Sequence, residues 1–363
     1  MTTIAITGVA GLVGRRLVAV LERRPDVTRI VGIDRRTPEG FTSLRCVFRH
    51  ADVRDPDLAA ALHGIDVVIH LACQLDPIHD EAAMRAMNVD GTRNVVEAAE
   101  RAGVDRLVHL SSVLAYGAAA DNDVPLTEDS PLRGTPAFNY AEHKRDAELW
   151  LADWLREPRN LEVTVLRSAM VLGHGVDNVL TRLLEGPRLT TIRGYEPPMQ
   201  FVHLDDLVAA IVHVIDHHLT GPYNVSAEGW LSYEEVLELV GRRPVAIPEE
   251  FAFTSTERLW ELGIGEHPPG LVYHLMHPWV MSPAKLVATG WQPHITNRAA
   301  LVETVAEHAG YVALLGVRAR WSTVGAIAAT VAAVTALLAG LGWRGWRRRR
   351  ARRRGAREHV RGR

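Results

Sequence analysis

Thr3-Ile4-Ala5-Ile6-Thr7-Gly8-Val9-Ala10-Gly11-Leu12-Val13-Gly14 decides the fold of this chain. The residues through Thr7 read as a short buried strand. Three glycines follow at three-residue spacing, and Leu17, Val18 and Leu21 then recur at helical spacing. Strand, glycine turn and helix in that order build a site for a pyrophosphate. Gly8 permits a tight turn, Gly11 lets backbone approach the anion, and Gly14 lets the helix pack closely on the strand. Leu12 and Val13, at the helix start, supply N–H groups and the positive end of the dipole. A second strand, 29–33, ends in Asp34, 20 residues beyond Gly14. A carboxylate there hydrogen-bonds an adenosine ribose diol and repels a 2′-phosphate, which favours NAD. Arg35 and Arg36 follow at once and can host that phosphate, so NADP stays open.

Tyr140-Ala141-Glu142-His143-Lys144 carries the second signal. The chain holds 7 Tyr and only two Lys, Lys144 and Lys285, among its 41 basic residues. One of those Lys falls four residues after a Tyr, so phenol and ammonium share a helix face. A nearby ammonium favours the phenolate, which makes Tyr140 a candidate general acid/base. Strand-like runs at 67–71, 106–111 and 162–167 alternate with helical stretches at 80–103 and 140–156. That alternation predicts an α/β fold: a doubly wound parallel sheet of the Rossmann type. Residues 1–170 are expected to form the dinucleotide-binding domain. Residues 171–310 are expected to form a smaller substrate lobe that returns to the sheet near 222–225.

The Gly8/Gly11/Gly14 spacing, the Tyr140/Lys144 pair and an upstream Ser together resemble the extended short-chain dehydrogenase/reductase family, of the NAD-dependent epimerase/dehydratase type. Further stretches match its pattern: Asp52-Val53, His70-Leu71-Ala72, Asn88-Val89-Asp90-Gly91-Thr92, Leu110-Ser111-Ser112 leading to Tyr116-Gly117, Leu166-Arg167-Ser168, and Gln200-Phe201-Val202-His203. The resemblance covers about residues 3–300. It implies that Asp52 and Val53 lie at the adenine, and that Leu71, Ala72, Asn88 and Ser111 line the cofactor. In the family the catalytic Ser sits four residues before that Tyr-Gly, which selects Ser112 over Ser111. The implied roles are Tyr140 moving the proton, Ser112 hydrogen-bonding the substrate oxygen, and Lys144 lowering the Tyr pKa and binding the nicotinamide ribose. A homodimer through the Tyr/Lys helix is also implied.

The resemblance narrows the reaction. Dehydratases of the family place an Asp-Glu pair just after the catalytic hydroxyl. Val113 and Leu114 stand there and cannot transfer protons, so dehydration is disfavoured. Epimerase, dehydrogenase and reductase remain. Asn178 resembles a residue that clamps the diphosphate of a nucleotide sugar, and an ordinary helix N-terminal residue is its alternative. An Arg common in those enzymes is Met199 here, with Arg193 as a possible substitute. A nucleotide sugar is therefore the first expected substrate, and a lipophilic alcohol or ketone of steroid or isoprenoid type the second. An NAD(P)-sensing regulatory protein on the same fold is the reading from another class, and the Tyr/Lys pair argues against it.

Two cysteines, Cys46 and Cys73, stand in apolar, strand-like surroundings and are expected to be free, buried thiols. His213 and His217 share a helix face, but no third ligand arrives at motif spacing, so no metal site is expected. Trp279 and Trp291 are expected to pack. The first strand begins at once, so no signal peptide is expected.

Residues 321–343, from Trp321 to Trp343, carry no charge. A helix of that length is about 35 Å, enough to cross a bilayer, with tryptophans at the interfaces. A buried core helix is the alternative. The tail 344–363 holds 11 Arg against one Glu, so the chain total of −2 hides an acidic body. Tail and apolar segment together are expected to bind anionic lipid; a nucleic-acid arm finds no support elsewhere in the chain. The expected location is a membrane surface with the catalytic domain cytoplasmic. A cytosolic enzyme and a cytosolic basic tail cannot both flank a single span, so the segment either spans against the positive-inside rule or lies shallow.

Overall fold

The computed structural model describes residues 1–37, 43, 45–178, 181–182, 188–263, 265, 267–309, 311–314 and 317–320. Its elements run β1 (Thr2–Thr7), α1 (Leu12–Leu21), β2 (Val27–Asp34), β3 (Cys46–His50), α2 (Leu58–Ala61), β4 (Val67–His70), α3 (Glu81–Arg85), α4 (Gly91–Arg101), β5 (Arg106–Ser112), α5 (Asn139–Trp154) and β6 (Glu162–Ser168). Short strands β7 (Met170–Leu172), β8 (Leu189–Ile192) and β9 (Phe201–His203) follow, then helix Leu204–Asp216 and β10 (Gly221–Val225).

Seven parallel strands form the main sheet in the order β10-β6-β5-β4-β1-β2-β3. The order reverses beside β1, and the crevice outside the carboxyl ends of the strands there is where open α/β sheets bind ligands. Alternation along each strand feeds two cores. Ile4 and Ile6 pack on one face with Leu17, Val18 and Ile211. Ala5 and Val31 pack on the other with Val95, Val96 and Leu151. Trp279 and Trp291 belong to the first core. The strand predicted at 222–225 is β10, which pairs with β6 from Gly221↔Thr164 to Val225↔Ser168.

The expected helix 80–103 is α3 and α4 joined by one π-helical stretch, Ala86–Asp90. Beyond β10 come helix Tyr233–Val240, β11 (Pro244–Ile247, parallel to β8), helix Glu249–Glu261 and the 3₁₀ turn Pro269–Leu275. Helix Asn297–His308 follows. Residues 1–184 and 188–308 form one compact unit. In a separate unit, Tyr311–Leu314 pairs antiparallel with Val317–Arg320. The expected membrane helix 321–343 and the Arg-rich tail 344–363 lie outside the described residues. Among the described residues no helix is long and apolar enough to cross a membrane.

Candidate active site

Gly8 takes φ +75°, and a Cβ on it would stand 2.7 Å from the Ala72 nitrogen, so the turn leaving β1 needs glycine. A Cβ on Gly14 would stand 2.6 Å from the Gly8 carbonyl oxygen, which is the close helix–strand approach expected of it. Helix α1 begins at Gly11 with no side-chain cap. The amides of Leu12 and Val13 therefore keep the free donors of a first helical turn, an arrangement that fits a dinucleotide pyrophosphate. Asp34, at the end of β2, accepts from the Ala10 N–H at 3.0 Å and the Arg36 N–H at 2.9 Å. Its carboxylate thus sits at the mouth of the glycine turn, where an adenosine ribose would lie. Arg35 reaches toward Asp52 at 3.6 Å, and Asp52 pairs with Arg54 at 2.7 Å. The Arg54 hydrogen bond holds the Asp52 carboxyl below the usual carboxylate range. The Val53 carbonyl is taken by Asn94 at 2.8 Å.

Leu71 and Ala72 leave β4 under the Gly8 turn, the Leu71 N–H donating to the Thr7 carbonyl at 3.1 Å. Asn88, in the π-helical stretch, braces the same loop: its Oδ1 accepts from the Gln74 N–H at 2.7 Å and its Nδ2 donates to the Gln74 carbonyl at 3.0 Å. The extra residue of a π turn re-aims one side chain, and such turns gather at functional sites.

On β5 the two serines part ways, as strand alternation requires. Ser111 donates to Glu148 of α5. Ser112 ends the strand, its hydroxyl accepting from the Leu114 N–H at 3.2 Å. Helix α5 packs on the Val113–Ala115 turn and presents Tyr140, Lys144 and Glu148 at successive turns, all buried. Lys144 donates to the Leu110 carbonyl at 2.8 Å and lies 5.6 Å from the Tyr140 ring centroid.

The expected lowering of the Tyr140 pKa is not what this geometry gives. Burial pushes the phenol well above its usual value, and the neighbouring Cys73 adds to that. The reading of the cysteines is also corrected: Cys73 is exposed, in the loop after β4, and Cys46 is half-buried at the start of β3. Burial raises the Cys46 thiol to about 11.

Glu148 and Arg167 were not singled out for a role by sequence reading. They form a buried ion pair at 2.8 Å. Arg167 also donates to the Tyr116 hydroxyl at 2.7 Å, and Tyr116 donates to Asn224 Oδ1 at 2.7 Å. This network ties α5 to the ends of β5, β6 and β10. The signal was present: Glu148 continues the i, i+4 stripe of Tyr140 and Lys144. For Cys73 no spacing rule existed.

Asn178 is placed as a capping residue. Its Oδ1 accepts from the Thr181 N–H at 3.0 Å and its Nδ2 donates to the Val171 carbonyl at 3.0 Å. These bonds use one of the amide's two N–H donors and one of its two acceptor sites. Arg193 is exposed, just after β8, its N–H donating to the Ile247 carbonyl at 2.9 Å. The structure does not bring it to the Ser112–Tyr140 cluster by any hydrogen bond among the described residues. His213 and His217 stack at 4.0 Å, and His213 meets Thr289 at 2.9 Å.

Behind the site, His70 bridges Thr7 at 2.7 Å and Thr92 at 3.0 Å and stacks on His109 at 5.3 Å. Burial, and then the Lys144 charge, lowers His70 to about 3, while burial lowers His274 in the Pro269–Leu275 turn to about 4. These rings must be neutral in the folded chain but charge on unfolding near pH 6.5. The unfolded state thus binds more protons below that pH, so stability falls as pH drops from 6.5 toward 4. The expected slope is about 1.4 kcal/mol per pH unit for each ring. Urea midpoints across pH 4–8 test this: a flat profile below pH 6.5 refutes it.

Known proteins place this geometry. The uncharacterized protein Rv0501 of Mycobacterium tuberculosis is 28% identical over 253 residues, 68% of this chain and 67% of that one. The L-arabinose 1-dehydrogenase (NAD(P)(+)) of Haloferax volcanii is 42% identical over 113 residues, 31% of this chain and 41% of that protein. Among solved structures, MoeE5 in complex with UDP-glucuronic acid and NAD aligns with a TM-score of 0.67 at 23% identity, over 85% of this chain and 98% of that one. The UDP-glucuronic acid 4-epimerase of Bacillus cereus in complex with NAD aligns at 0.65 and 19% identity, over 85% and 98% of the two chains. The family model for the NAD dependent epimerase/dehydratase family matches residues 4–226, which is more than half the chain, and the chain belongs to that family.

Proposed function

We propose that this chain moves a hydride between NAD and a carbinol or carbonyl carbon of a sugar, the sugar being carried on a nucleotide. One observation carries the reading. The Gly8 turn, the end of β5 at Ser112 and the first turns of α5 at Tyr140 and Lys144 all lie at the carboxyl edge of one parallel sheet. The Gly8–Gly14 turn holds the pyrophosphate and Asp34 the adenosine ribose, which selects NAD over NADP. NAD supplies the hydride carrier. Ser112 donates a hydrogen bond to the reacting oxygen, and Tyr140 gives or takes its proton. The raised phenol pKa keeps Tyr140 protonated at neutral pH, the form that delivers a proton to a ketone oxygen. Lys144, fixed on the Leu110 carbonyl, orients the nicotinamide ribose. The nucleotide-sugar part is supported by MoeE5 and the Bacillus cereus epimerase as likenesses of fold.

A second reading follows from Asn178 and Met199. Met199 stands where the clamp's Arg is expected, and half of the Asn178 amide's bonding capacity already goes to Thr181 and Val171, which weakens the clamp. A free sugar or a lipophilic alcohol needs no such clamp. Membrane attachment joins either reading from the sequence of 321–363 alone, and a homodimer through α5 from family resemblance alone.

Calorimetry with NAD, NADP, UDP and UDP-hexoses tests both readings. Tight NAD binding and a clear UDP signal support the first. NAD binding with no UDP signal removes the nucleotide and supports the second. NADP binding tighter than NAD overturns the role given to Asp34.

A further inference from the structure

Three residues before Tyr140 the backbone does something unusual. Ala137 takes φ +57°, one of only two non-glycine residues with positive φ among those described. For a residue with a Cβ that conformation costs energy and persists only where its surroundings impose it. Part of the cause is local: the Phe138 N–H donates to the Thr135 carbonyl at 3.1 Å, closing a turn with Pro136 and Ala137 at its centre, where the second position takes positive φ. Against this turn packs one short element, the 3₁₀ turn Pro269–Leu275. The Gly270 N–H donates to the Ala137 carbonyl at 3.0 Å. Contact is so close that a Cβ on Gly270 would stand 2.2 Å from the Pro136 carbonyl oxygen and 2.7 Å from the Phe138 nitrogen.

The same turn grips the start of α5 through side chains. Leu271 packs on the cluster of Phe138, Tyr140 and Ala141. The His274 ring meets the Phe138 ring edge-on, with centroids 5.4 Å apart. The opposite side of the turn belongs to the substrate lobe, where Val272 and Met276 pack with Ile192 and Ala252. One rigid turn thus touches the substrate lobe on one side and the approach to Tyr140 on the other.

We propose that the Pro269–Leu275 turn is the positioning element of Tyr140: Gly270 and Leu271 pin the Thr135–Phe138 bend from outside, and the pinned bend aims the first turn of α5 at the reacting oxygen. This rests on the acid/base role proposed for Tyr140. If the clamp is lost, the bend and the first turn of α5 shift together and the phenol moves. A displacement of about 1 Å in a reacting group costs on the order of 100-fold in rate.

Gly270→Ala and Leu271→Ala in the full chain test it, with Leu271→Met as the conservative control. Three quantities are read: NAD affinity by calorimetry, kcat and KM with UDP-hexose, and the Tyr140 ionisation. The last comes from tyrosinate absorbance against pH, taken as the difference from Tyr140→Phe, and needs no substrate. The expected result is NAD affinity within about twofold of the parent, a displaced Tyr140 ionisation and, where UDP-hexose turns over, kcat down by about 100-fold at unchanged KM. Leu271→Met restores both. If Gly270→Ala fails to fold, Leu271→Ala decides alone. A folded Leu271→Ala with the parent's Tyr140 ionisation overturns the proposal. Turnover surviving Tyr140→Phe would instead sink the acid/base role, while the ionisation shift still judges the turn.

Discussion

Tyr140→Phe is expected to lower turnover by about 10²–10⁴-fold while leaving NAD affinity unchanged. The substitution removes one oxygen from a buried ring and keeps the ring's packing against Phe138 and Ala141. What it removes is the proton carried to or from the substrate oxygen. Ser112 has no ordinary means of ionising, and Lys144 is held on the Leu110 carbonyl. The direction of reaction adds a second signature. Burial holds the phenol protonated at neutral pH. Ketone reduction should therefore be fast near neutrality and show no phenol-linked decline up to pH 10, because the raised phenol stays protonated there. Alcohol oxidation, which needs the phenolate, should climb over the same range. Initial rates in both directions across pH 6–10 check this. Equal activity of parent and variant would remove Tyr140 from the chemistry.

The largest expected effect on stability lies at Glu148. Glu148→Ala leaves the Arg167 guanidinium, with a side chain only 7% exposed, facing a void and the orphaned Ser111 hydroxyl. Breaking a buried pair by removing one partner costs about 3–5 kcal/mol, because the remaining charge has no solvent. Removing both charges costs less than removing one. The double variant Glu148→Leu, Arg167→Met should therefore recover a large part of the loss. Urea unfolding of the single and double variants measures it. A single variant within about 1 kcal/mol of the parent would show that Tyr116 and the Glu128 carbonyl satisfy Arg167 without the carboxylate.

Much of this was readable before any coordinates. The stretch 3–14 required strand, turn and helix because only glycine tolerates the Gly8 dihedral and the Gly14 approach. Local chemistry dictates local geometry there, so sequence sufficed. The Tyr140/Lys144 pair was legible for the same reason, since helical spacing alone puts both on one face. What spacing cannot supply is environment. The sign of the Tyr140 shift was misjudged because it depends on how dry the site is and on Cys73, which is 67 positions away in sequence. Asn178 looked like a ligand residue because its type fits both a clamp and a cap. Its bonds to Thr181 and Val171 show the cap, and one N–H and one lone pair stay over for a clamp. The bend at Ala137 had only a faint signature: Pro136 suits the position before a left-handed turn residue, while alanine does not advertise that backbone.

The edge strand β10 has a consequence for how the chain is made. Pairing of β10 with β6 joins residue 164 to residue 221, so the sheet's far edge stays open until about sixty further residues have been synthesised. A nascent chain can assemble β1 to β6, with the glycine turn and both ends of α5, before that. Until Pro222–Val225 arrives, β6 offers an unpaired row of amides and carbonyls to any neighbouring nascent chain. Tyr116 likewise waits for Asn224. A ribosome stalled between residues 170 and 220 would therefore hold a dinucleotide site that is nearly complete beside a strand edge that invites aggregation.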